Sequence, residues 1–161
     1  MKLSPLIKGL ITAGAMILLT MIIYYTNAGR YTFLGYGIYI LYALGITWTL
    51  LAYSRSEEYT GKFGDSFQKG FRTFIVVTLV MVAFTFVLFY LHPEWAVEGA
   101  QAYREHLVKE GNSSNTEIEA KVAAFKKGFV TSNVSGAVFG YLMTGAIFTA
   151  IGAALITARK K

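Results

Sequence analysis

The sequence predicts an all-α integral membrane protein: a four-helix bundle with an extracytoplasmic amphipathic helical hairpin between spans three and four. Three observations lead there. Of 161 residues, 55% are hydrophobic and only 15% charged, where a soluble domain carries roughly a quarter charged residues. The charge is also unevenly spread, being absent from four long apolar stretches and concentrated between them. Each stretch comes close to the ~20 residues that a helix needs to cross a bilayer core of about 30 Å. Without water, backbone amides in such stretches must find partners inside the segment, and the helix is the way to do so.

The first span runs from about Gly9 to Thr26. It is longer than the apolar region of a cleaved signal, and Tyr24-Tyr25 suit a membrane–water interface better than a cleavage site, so it reads as a retained span despite the nearby Thr26-Asn27-Ala28. The second span covers about Phe33 to Tyr53, the third about Phe71 to Leu91, and the fourth about Val134 to Ala158. No Asp, Glu, Lys or Arg interrupts their apolar cores. The chain thus reads as one membrane domain over residues 1–161.

Basic residues set the orientation. Lys2 and Lys8 precede span one; Arg55, Lys62, Lys69 and Arg72 lie between spans two and three; Arg159, Lys160 and Lys161 end the chain. The first loop offers only Arg30 on the other side, and the long third loop mixes five cations with six glutamates. Both termini are therefore expected in the cytoplasm.

The third loop, about 93–130, reads as two helices. Pro93 suits a first helical position, Gly111-Asn112-Ser113 breaks the helix, and Ser114 with Glu117 fits a capping box. Ile118, Val122, Phe125 and Phe129 then form one apolar stripe. It is expected to rest on the protein itself or on the membrane interface, with a partner protein as the other option. In the second loop, Phe63, Phe67 and Phe71 recur every fourth residue among Asp65, Lys69 and Arg72. This is either an interfacial helix whose basic residues meet anionic headgroups or a plain extension of span three.

These residues also carry a resemblance. The stretch Gly61-Lys62-Phe63-Gly64-Asp65-Ser66-Phe67-Gln68-Lys69-Gly70-Phe71, directly before a span, resembles the signature loop of a bacterial family typical of the Bacteroidota. That family is catalogued as a domain of unknown function, number four-one-nine-nine. Tyr90-Leu91-His92-Pro93-Glu94-Trp95 is similar to its aromatic–x–Asn-Pro–acidic–aromatic step, with His92 where Asn is commoner. The Asn112-to-Phe129 segment and the Gly-rich last span ending in lysines fit as well. The resemblance implies a four-span bacterial inner-membrane protein, and it brings no catalytic residues with it.

Chemistry is sparse. The absence of cysteine excludes disulfides, zinc–thiolate sites and iron–sulfur clusters. Span cores without ionisable groups argue against ion-coupled transport, and both prolines lie outside those cores. His92 beside Glu94, and His106 near Glu98 and Glu105, lack paired metal-ligand spacing and read as surface residues. Despite the net charge of +6, no basic run is long enough for a nucleic-acid footprint. No phosphate-binding loop follows a strand, and the tripeptides starting at Asn112 and Asn133 match glycosylation acceptors of a kind common by chance. No cofactor is expected.

Two patterns remain inside the membrane. Tyr36, Tyr39 and Tyr42 recur every third residue in span two, with Trp48 deeper. They line a ligand site or, in the preferred reading, bond between helices and join the aromatic belt. In span four, Gly136, Gly140 and Thr144 repeat every fourth residue, with Ala146, Ala150 and Ala154 on a neighbouring face. Small residues let helices approach, here within one bundle in preference to a homo-oligomer or another membrane partner. The expected function is non-enzymatic: a structural, lipid-interacting or partner-assembling component, with a small carrier or channel for an apolar or weakly polar solute as the alternative.

Overall fold

The computed structural model describes residues 3–26 and 32–159, without the side chains of 32–34. Lys2, Asn27, Ala28, Arg30, Lys160 and Lys161, which entered the reading of orientation and processing, lie outside them. The described chain is all-α, with five helices: α1 Pro5–Tyr25, α2 Thr32–Ser54, α3 Phe63–Leu91, α4 Glu94–Glu110 and α5 Asn115–Ala158. Four of these, all but α4, are long and apolar enough to cross a membrane.

Local chemistry explains the helix ends. At α1, Ser4 accepts the amide of Ile7 (3.3 Å) and Pro5 occupies the first turn, where its missing N–H costs nothing. The helix therefore starts four residues before the apolar run and carries Lys8 inside it. α4 stops at Gly111, whose φ of 68° suits a residue without Cβ. The capping box opens α5: the Ser114 amide donates to Glu117 (2.9 Å) and the Glu117 amide to the Ser114 hydroxyl (3.4 Å).

One of the two readings of the second loop is observed, and one element boundary differs from the sequence reading. The phenylalanine stretch of the second loop is continuous with span three, as α3 begins at Phe63. The second arm of the expected hairpin and span four are one 44-residue helix. No break falls between Phe129 and Val134, and the Asn133 side-chain amide donates back to the Phe129 carbonyl (2.8 Å).

The chain forms two compact units: residues 1–82 with 138–161, and residues 83–137. In the first, glycines admit the partner's side chains. Thr12 of α1 fills the notch at Gly45 of α2, and Tyr42 of α2 fills that at Gly145 of α5. Thr149 of α5 sits at Gly70 of α3, where an added Cβ would meet its methyl at 2.6 Å. Gly9 of α1 lies against the carbonyl of Thr73 and the Val76 side chain of α3, both at 3.0 Å from such a Cβ. Such contacts hold helices together where lipid removes the hydrophobic drive between them.

The second unit is built on the predicted stripe. Ile118 is buried, Phe125 stacks on Tyr103 of α4 (4.9 Å between centroids), and Phe129 meets Phe89 edge-on (5.4 Å). Phe129 also fits against Gly99, and Arg104 pairs with Glu119 at 2.7 Å. Partner numbers fall along α5 as they rise along α4, so the two helices run antiparallel and the stripe rests on α4.

Candidate functional site

The tyrosine pattern of α2 does not form a line. Three residues turn a helix by about 300°, so each step drifts roughly 60° round the axis. Exposure falls accordingly, from 64% at Tyr36 through 41% at Tyr39 to 0% at Tyr42. Tyr39 packs near Tyr141 (6.1 Å between ring centroids). The Tyr42 hydroxyl lies 3.2 Å from the Thr78 hydroxyl, 3.2 Å from the Tyr141 carbonyl and 3.3 Å from the Phe74 carbonyl. It joins α2, α3 and α5 and fills the space between them.

A second polar knot lies further along the same helices. The Thr49 hydroxyl donates to the Gly45 carbonyl (3.2 Å), and the Thr73 hydroxyl sits 3.0 Å from that of Thr49 and 3.2 Å from the Pro5 carbonyl. Among the described residues, Thr149 holds the one buried side-chain oxygen without a hydrogen-bond partner.

In α5, the tight face is one residue removed from the predicted one. An added Cβ at Gly136 meets nothing within 4 Å, and at Gly140 it meets only the Tyr39 hydroxyl, at 3.8 Å; Thr144 is half-buried. Close approach falls instead on Gly145, Thr149 and Gly152. Their four–three spacing keeps them on one side of a helix, and it was the signal available in the sequence.

Along α3, Phe63, Phe67 and Phe71 make a ladder of rings (centroids 5.9 and 6.3 Å apart) with Phe63 and Phe71 exposed. Arg72 is exposed, whereas Lys69 pairs with Glu58 (3.0 Å) and lies over the Tyr53 ring (5.2 Å). Near α4, His92 Nδ1 and Glu94 are 2.7 Å apart, and His92 stacks on Trp95 (4.6 Å). That hydrogen bond to His92 holds the Glu94 carboxyl below its ordinary value of 4.5. His106 reaches Glu110, at 3.6 Å.

Two clefts open in the first unit. One, of about 470 Å³, lies at the start of α1, the end of α2 and the start of α3, with Lys8, Trp48, Tyr53, Arg55, Glu58 and Lys69 in its lining. The other, of about 660 Å³, lies between α2 and α5 and is lined by Leu51, Phe148, Ile151 and Leu155, with Arg55 and Arg159. Sequence reasoning used Lys8 and Arg55 for orientation only and did not bring them together with Trp48. Their common signal is a basic residue near the end of each apolar run.

The family described as Protein of unknown function (DUF4199) matches residues 8–157. No curated protein and no solved structure matches the chain.

Proposed function

The chain belongs to that family, and we propose that it is a multi-pass protein of a bacterial inner membrane, acting as a non-enzymatic, lipid-interacting component. One observation carries this reading: polarity in the first unit is turned inside out. Leu18, Leu79 and Leu155 are exposed, whereas Ser66, Thr49, Thr73, Thr78 and Thr149 are buried. In water that arrangement leaves large apolar patches uncovered, whereas in a bilayer lipid covers them.

Basic residues support both termini being cytoplasmic. Lys8 lies near the start of α1, Arg55 at the end of α2, Lys62 and Lys69 at the start of α3, and Arg159 at the end of α5. With that orientation, α4 and the first half of α5 lie outside the cytoplasm. The filled space around Tyr42 favours action through lipid-facing surfaces over passage of a solute through the bundle.

The test is extraction of the protein from native membranes into polymer-bounded discs, followed by analysis of the retained lipids and proteins. Enrichment of a lipid class over the bulk membrane supports the reading. Lipid of bulk composition would overturn it.

A further inference from the structure

We propose that the cleft at the start of α1 binds the phosphate of an anionic phospholipid. This rests on the reading above, because it needs the cleft to stand at a membrane surface.

Lys8 carries a charge that nothing beside it compensates. Lys8 is only 7% exposed. Among the described residues its side chain has no ion pair and no hydrogen bond, and its ammonium lies over the Trp48 ring at 5.6 Å. Lysines at span ends ordinarily snorkel, burying the stem and placing the ammonium in water. Lys8 instead lies at the edge of the cleft with most of its side chain covered, and a cation partly withdrawn from water without an anion is destabilised. The described lining sets three cations, Lys8, Arg55 and Lys69, against one carboxylate, Glu58, which Lys69 already engages at 3.0 Å. A bound phosphate supplies the missing charge.

The surroundings of the cleft point to a lipid as the source of that phosphate. Trp48 and Tyr53 are amphipathic rings of the kind that sit at headgroup level. Arg55 lines not only this cleft but also the apolar furrow between α2 and α5, which has Phe148, Ile151 and Leu155 in its wall. A headgroup held by Lys8 and Arg55 can lay an acyl chain along that furrow. A free phosphate ion makes no use of it.

The full chain is placed in nanodiscs of equal phosphatidylglycerol and phosphatidylcholine, and retained lipids are counted by native mass spectrometry. The wild type is expected to retain phosphatidylglycerol preferentially. Lys8→Gln and Arg55→Gln each weaken that preference by about fivefold, the share of one cation near an anionic surface, and Lys8→Arg preserves it. If Lys8→Gln does not fold, the exposed Arg55 decides the matter. A preference unchanged in both glutamine variants overturns this site while the lipid-interacting reading stands. No preference in the wild type overturns the site, and the lipid-interacting reading is then decided by the native-membrane extraction alone. Complete displacement of the lipid by millimolar inorganic phosphate overturns the lipid assignment in favour of a soluble anion.

Discussion

Tyr42 and Tyr36 are six residues apart on one helix, yet removing their hydroxyls should have different consequences. Tyr42→Phe leaves the Thr78 hydroxyl and two carbonyls without the oxygen that joins them. It is expected to destabilise the bundle by about 0.6–1 kcal/mol, the range for hydrogen bonds between membrane helices. Tyr36→Phe, at an exposed position, should leave thermal unfolding in detergent unchanged. Equal effects from both substitutions would contradict the packing role of Tyr42. Near α4, the relevant variable is pH. The Glu94 carboxyl is held below 4.5, so its pairing with His92 contributes fully above the ordinary carboxylate range and is lost as pH falls through the lowered value. The protection factors of amides 92–96, which correct exchange for its intrinsic slowing in acid, should therefore fall on acidification, and Glu94→Gln should abolish that dependence.

For helices, the question is which face touches a neighbour. Gly145→Ala drives a methyl group into the Tyr42 hydroxyl and to 2.8 Å from the Phe74 ring, and should cost about 1–3 kcal/mol. Gly136→Ala enters open space and should be neutral or gain about 0.5–1 kcal/mol, since glycine is a poor helix residue. Thermal unfolding of the two variants gives the comparison directly. The four apolar runs were legible in the sequence because charge marks their ends. The unity of α5 was not. A change from an amphipathic to a uniformly apolar pattern looks like a boundary, but it reports a change of surroundings and not a break in the backbone. Asn133, a poor residue for a helix interior, donates its side-chain amide to the Phe129 carbonyl within the unbroken helix. In α5 the Gly145–Thr149–Gly152 spacing was visible, but the choice between it and the Gly136–Gly140–Thr144 face was not. That choice depends on which notch receives Tyr42, Leu50 and Thr149, and those side chains come from, or fit against, other helices.

In the whole molecule, the same limit governs the candidate site. Lys8, the Trp48–Arg55 end of α2 and Lys69 come from three separate stretches of the chain and meet only because α1, α2 and α3 bring their ends together. Single-residue patterns cannot report that convergence, although the basic residues themselves were evident. The second unit was more legible, because its two arms and its stripe follow from amphipathic spacing and one short break, whereas the packing of the stripe on α4 was left open in the sequence. The hydroxyls of the first unit have a further consequence, for biogenesis. Thr12, Thr20, Thr49 and Thr157 each donate to a carbonyl four residues earlier in their own helix. Those hydroxyls are thus already satisfied in a single helix leaving the insertion machinery, before any partner has arrived. On the proposed membrane location, α1, α2 and α5 can each enter lipid alone without an unpaired hydroxyl at these positions, and the fitting of side chains into glycine notches can follow.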